Sequence, residues 1–375
     1  MIDKYYNGVI EQVVSGIGNV EHNSILVRYS NDFSIWDLES VNHYKDQSDI
    51  FFTCHEFSYN KIAEAYEPYL GLIRQMFHRY CSGTLEEFME ECDVYKLQRP
   101  VFESYFEKGF CERTEQILID EVEYEQERMR NSIVTMLQKL SEIRPVVIVL
   151  NRFQLASKST MQLSNSLLQV KNKNIGIVLG VNDVQSIPEF AHEEWDAICE
   201  SMDDRNMVYH IGNAGRNMEP DVMDYYSDYE SDDGYRKLNN LVYFLDFDQA
   251  DHHLSKIERR IKFDNFTISE KKHYQLLLLQ IMVSVLQRDI AKALESCEDL
   301  EKLQDQEKEG AFYYNFWMAT SYMYLGKLEE AMIYVQKAKE CGEALGDDFL
   351  VFRAELLKAQ NQMSGWCNIF FCAQD

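Results

Sequence analysis

Apolar positions fall along this chain in two rhythms. Over residues 1–20, Ile2, Tyr5, Tyr6, Val9, Ile10, Val13 and Val14 recur at helical spacing, which predicts an amphipathic helix. "NSILVRYS" (23–30) and "DIFFTCHEF" (49–57) are short runs of β-formers and predict strands, with a helix over 32–44 between them. Residues 60–142 read as mostly helical, with a break near Arg99-Pro100 and a closing amphipathic helix in "TEQILIDEVEYEQERMRNSIVTMLQKLSEI". Two continuous apolar runs follow, "PVVIVL" (145–150) and "IGIVLGVN" (175–182), joined by a helical segment over 158–170. "NMVYHIG" (206–212) and "NLVYFLDF" (240–247) predict later strands. Strands that are apolar throughout and alternate with helices imply a parallel sheet covered on both faces. Past residue 250 the rhythm is helical only. The pattern therefore predicts an α/β domain over 1–250 and an all-α region over 251–375.

Composition narrows what such a chain can do. Its 375 residues suffice for two or three domains, and 46% are hydrophobic, so a sizeable core can form. Sixty-three acids against 37 bases give a net charge of −26. That excess argues against a nucleic-acid surface, because phosphates require clustered Lys and Arg, and equally against docking on anionic membranes. No apolar run reaches the length of a membrane span, and "MIDKYYNGVIEQ" has neither the basic nor the apolar part of a signal peptide. The expected location is the cytoplasm. The nine scattered cysteines then read as reduced thiols, mostly core filler.

Candidate chemistry is sparse. The segment 219–235, "EPDVMDYYSDYESDDGY", carries seven acids and no base and reads as a solvated loop. A calcium loop would need Gly directly after Asp232, whereas Asp233 intervenes before Gly234, and no Glu closes the loop. Cys54 and His55 are neighbours in a predicted strand, so they point to opposite faces and do not share an ion. Asp251-His252-His253 lies near a helix start, where Asp caps well, and lacks the i, i+4 spacing of a metal pair. The cysteines of "WCNIFFC" are spaced too widely for a redox or zinc signature, and no GxSxG occurs. No metal, cofactor or catalytic residue is assigned.

Two resemblances organise the rest. "GAFYYNFWMATSYMYLGKLEEAMIYVQKAKECG" (310–342) resembles a tetratricopeptide repeat, with Ala319, Tyr322, Gly326 in the turn, Ala331 at the close helix crossing, and Ala338. Small residues let two helices touch, and the aromatic fills the space between them. A weaker copy lies 38 residues upstream, with Arg288 in the turn place and Ala293 at the crossing. Another lies 39 residues downstream at Gly365-Trp366. These spacings exceed the usual period of about 34. Three such units would form a short solenoid. By analogy with that family, Tyr313, Phe316, Thr320 and Met323 line the concave groove and contact a protein or peptide partner. The apolar "WCNIFF" near the end predicts either a truncated array or a face covered by a partner.

The α/β part resembles the nucleotide-binding domain of STAND-class, AAA-like signalling ATPases, in which a P-loop domain precedes a helical-repeat sensor. "FTCHEFSYNKIAEAYEPYLGLIRQMF" (52–77) is similar to that class's second-strand segment, "VVIVLNRFQLASKST" to its Walker B strand, and "NIGIVLGVND" to the strand after it. The chemistry of the class is missing at each place. Where GxxxxGK[ST] would cradle phosphates, the chain has "VRYSNDFSIWDLES", with no Gly or Lys and with Asp32, Asp37 and Glu39. Asn151 and Arg152 stand where a carboxylate would hold Mg²⁺, and Val181-Asn182-Asp183 replaces an Arg-bearing strand end. The resemblance implies a P-loop-like pseudo-ATPase domain followed by a TPR-like solenoid. The implied role is the non-catalytic sensor or scaffold part of a bacterial regulator of the diguanylate-cyclase or transcription-factor type. The alternative is a switch that still binds ATP or GTP through an atypical loop.

Overall fold

A computed structural model describes residues 2–19, 23–29, 34–45, 47, 49–58, 61–111, 122–170, 172–182, 187, 189–203, 207–211, 231–263 and 267–372. For 2, 3, 211 and 364–372 the backbone alone is described. The chain divides into two compact units, Met1–Gln249 and Ala250–Asp375.

The first unit is built on a five-stranded, all-parallel sheet of β1 (Ser24–Tyr29), β2 (Phe51–Glu56), β3 (Val146–Asn151), β4 (Ile175–Asn182) and β5 (Val208–Ile211). The strand order is β2-β3-β4-β1-β5. Every residue of β3 and β4 is buried, as expected of continuous apolar runs in the middle of a sheet covered on both faces. β2 is an edge strand, and its burial fades after Phe52.

Helix α1 (Ile2–Gly16) packs on the sheet through Tyr6, Val9, Ile10 and Val13, the stripe its periodicity marks. Its approach is set by two glycines of β4. A Cβ on Gly176 would come within 2.7 Å of Val13 Cγ1, and one on Gly180 would collide with Tyr6 Oη and Asn151 Oδ1. Between β1 and β2 lie a 3₁₀ turn (Ile35–Asp37) and the short α2 (Glu39–Tyr44). The segment after β2 holds α3 (Tyr69–Tyr80), α4 (Leu85–Glu91), α5 (Arg99–Lys108) and α6 (Val122–Ile143). Arg99-Pro100 opens α5 rather than merely interrupting a helix, since Pro is well placed in a first turn. α7 (Lys158–Gln169) and α8 (His192–Asp203) follow β3 and β4.

Two expectations fail. "NLVYFLDF" is not a strand: it ends helix α9 (Asp232–Tyr243) and leads into α10 (Phe247–Phe263). The run is apolar throughout from Leu241 to Leu245, which hides its period. Leu238, Leu241, Val242 and Leu245 are i, i+3, i+4 and i+7 and are all buried. The acidic segment 219–235 is not loop throughout, since Ser231 caps α9 by accepting the Gly234 N–H; its residues 219–230 lie outside the described ones.

The second unit is helical. It comprises the rest of α10, then α11 (Glu270–Leu286), α12 (Ile290–Glu301), α13 (Gly310–Tyr324), α14 (Leu328–Leu345) and α15 (Asp348–Cys372). Ala293 and Ala331 are fully buried, where small residues let paired helices approach. The joints α11–α12 and α13–α14 match bond for bond. Arg288 (φ +66°) and Gly326 (φ +72°) both take the left-handed conformation. Asp289 N–H bonds Ser284 O at 2.8 Å, and Lys327 N–H bonds Tyr322 O at 3.0 Å. Arg288 N–H bonds Val285 O at 3.1 Å, and Gly326 N–H bonds Met323 O at 3.0 Å. Both are Schellman turns that satisfy the last carbonyls of the first helix. The turn expected at Gly365-Trp366 is absent, because α15 continues through it. Among the described residues, no helix is long and apolar enough to cross a membrane.

Candidate functional site

In open parallel sheets, ligands bind beyond the carboxyl ends of the strands. Here those ends present Tyr29 on β1, Asn182 on β4, Asn151 on β3 and Glu56 on β2, in that order across the sheet. The bare Gly180 leaves room for Tyr29 to reach across β4. Its hydroxyl donates to Asn151 Oδ1 at 2.8 Å, fully buried. Tyr6 from α1 lies in the same space, and burial, followed by the charges of Tyr29, Cys54 and Glu56, raises its pKa. Asn151 Nδ2 is buried without a hydrogen-bond partner. Gln154, also fully buried, accepts the Asn182 N–H at 3.2 Å.

Glu56 ties the loop after β1 to the strand ends. Its Oε2 accepts the Ile35 N–H at 2.9 Å, at the start of the 3₁₀ turn capped by Ser34. Its Oε1 lies 3.4 Å from Nη1 of Arg152, which sits at φ +54°. The anion at this turn is therefore a carboxylate of the chain itself, and the cation beside it is Arg152. Of the three acids expected near this loop, Asp37 and Glu39 are exposed, and Asp32 lies outside the described residues.

The opposite face of β2 carries a cluster that sequence reasoning missed. His55 Nε2 lies 3.5 Å from Glu67 Oε1. Burial, with the Lys61 charge, pushes the imidazole down to about 4, so it is neutral near pH 7. Burial and the neighbouring Glu67 push Glu64 up to about 7, against the 2.7 Å hydrogen bond donated by Asn240. Burial also raises Glu67.

This cluster belongs to a larger polar knot. Ser157 Oγ donates to Glu64 O at 2.9 Å, Tyr66 N–H to Ser159 Oγ at 3.2 Å, and Thr160 Oγ1 to Glu67 O at 3.1 Å. The Ser159 N–H, in the first turn of α7, is held by buried Asp246 at 2.9 Å, and Lys158 pairs with Asp248 at 2.6 Å. The signal was visible only as scattered Ser, Glu and Asn in four separate segments. Among the described residues, no group of His, Cys, Asp and Glu is arranged to hold a metal ion. Asp251 is no helix cap; it sits within α10 and pairs with Lys292 at 2.6 Å.

In the helical unit, Tyr313, Phe316 and Thr320 lie on α13 and are buried. They are 4%, 3% and 0% exposed, and Met323 is half-buried. Phe316 stacks on Phe312 at 5.7 Å between ring centroids, and Arg353 of α15 lies 4.5 Å above the Phe316 ring. Thr320 Oγ1 donates to the Phe316 carbonyl within its own helix. No protein-family model matches this sequence, and no curated protein is significantly similar to it.

Proposed function

We propose that the chain is a non-catalytic signalling scaffold, in which a P-loop-like domain without phosphate chemistry precedes a TPR-like partner-binding array. The observation that carries this reading is the Glu56 carboxylate on the Ile35 N–H with Arg152 beside it. A phosphate-binding turn offers backbone N–H groups and a cation to a ligand's anion; here a side chain already occupies that role. Tyr29 and Asn151 fill the adjacent strand ends and offer no carboxylate for Mg²⁺. The parallel order, with β4 between β1 and β3, agrees with a P-loop-like fold. The matching turns at Arg288 and Gly326 agree with tandem repeats. A partner-binding surface is offered by α15, where Phe352 and Met363 are 61% and 69% exposed.

The test is thermal unfolding with and without saturating Mg-ATP, Mg-GTP and Mg-ADP. A ligand specific to the folded state stabilises it by about 2.7 kcal/mol at a hundredfold excess over Kd. The expected result is no shift with any of the three. A clear shift would replace this reading with that of a nucleotide-dependent switch.

A further inference from the structure

Among the described residues, β2 is paired on one side only, with β3. The N–H groups of Phe51 and Phe57 turn inward, to Pro145 O at 2.7 Å and Asn151 O at 3.0 Å. Peptide groups alternate along a strand, so those of Phe52, Cys54 and Glu56 face away from the sheet. An open edge of this kind is a template for another strand unless it is blocked.

Among the described residues, no strand pairs with this edge. It floors a groove of about 290 Å³ whose other lining comes from Trp36, Val41, Lys45, Gln47 and Ile50 and from α3. Lys45 and Arg79 line it with Trp36 and Tyr80, and Trp36 is 50% exposed. Lys45 is near enough for its charge to act on the Cys54 thiol in the floor. Arg144 approaches the Tyr80 ring to 4.9 Å, and Arg79 approaches it to 5.4 Å. A shallower depression beside it adds Arg74 and His78, and among the described residues no carboxylate lines either hollow. Arg74 is occupied, holding the Phe106 carbonyl at 2.6 Å. Among the described residues, Lys45 and Arg79 have no acidic partner.

In a chain of net charge −26, a basic and aromatic slot along a free strand edge runs against the rest of the composition. We infer that the β2 edge binds an extended acidic segment of a partner protein, added as a strand beside Phe52–Glu56. The outward peptide groups supply the main-chain hydrogen bonds. Lys45 and Arg79 take the partner's carboxylates, and Trp36 and Tyr80 receive an apolar side chain. Nucleic acid fits less well: its phosphates need more cations than this slot holds, and the chain's net charge repels them.

Fluorescence anisotropy on the full chain tests this with a dye-labelled peptide that alternates Glu and Val. The controls are the Lys–Val counterpart and the acidic peptide N-methylated at alternate amides, which cannot pair with a strand. The acidic peptide is expected to bind saturably, and the Lys–Val and N-methylated peptides are expected not to bind. Lys45→Glu and Arg79→Glu, both at exposed positions, are each expected to weaken binding about tenfold with an unchanged melting temperature. Failure of the acidic peptide to bind, equal binding of the N-methylated form, or indifference to both charge reversals would each overturn the inference. So would a single-stranded RNA that binds through Lys45 and Arg79 where the peptide does not.

Discussion

Gly180 shapes the space above β4 by leaving it empty of a side chain. Tyr6 and Asn151 meet over it, so adding one methyl pushes on two buried side chains, one of them bonded to Tyr29. Gly180→Ala is expected to destabilise the fold by about 1–3 kcal/mol in urea titrations. Gly8 is a built-in control. It lies in α1, and a methyl added there would meet nothing within 4 Å, so Gly8→Ala should be neutral or stabilising by about 0.5–1 kcal/mol. Glu64 sets a pH dependence of the opposite kind from an ordinary surface acid. Its folded value of about 7 lies above its ordinary 4.5, so the fold prefers the protonated form. The stabilisation is complete below about pH 4.5 and is lost as pH rises through about 7. Glu67, Asp233 and Lys237 act on Glu64, Lys61 acts on Glu67 and His55, and His55 takes up its proton only near pH 4, below that window. Glu64→Gln should therefore raise the melting temperature above pH 7 and leave it unchanged at pH 4.5, measured by circular dichroism.

At the scale of elements, the joints between helices decide more than the helices do. Gly326 has open space around it, so Gly326→Ala meets no clash; its cost is the left-handed backbone alone, about 1 kcal/mol. Arg288 already bears that cost and recovers part of it by lying 4.1 Å above the Tyr324 ring. Asp289 then caps α12 through the Lys292 N–H, and Asp289→Ala is expected to lower stability by about 1 kcal/mol in the same titrations. The strands were legible in the sequence where burial is complete, as in β3 and β4, because a wholly apolar run of strand length between turn signals has few alternatives. The same rule misled over "NLVYFLDF", where a helical stripe starting at Leu238 was hidden by Tyr243 and Phe244. Gly365 misled in the other direction, because a glycine within a helical pattern marks a turn only when the next helix begins there. The knot of Glu64, Ser157, Ser159, Asn240 and Asp246 had no signature, since its members are far apart in sequence and individually commonplace.

Across the whole molecule, charge is the dominant uncompensated quantity. Sixty-three acids against 37 bases repel one another in the compact state, and salt screens that repulsion. Raising sodium chloride from near zero to physiological strength should therefore raise the melting temperature, whereas a net contribution from surface ion pairs would lower it. The paired turns at Arg288 and Gly326 bear on how such a chain grows. Their dihedrals and hydrogen bonds coincide although one residue is arginine and the other glycine. A splice from one turn to the other would remove a whole helix–turn–helix unit and leave the backbone at the seam unchanged. The two turns are thus natural cut points, at which the array could be shortened or lengthened by recombination without rebuilding either flanking helix end.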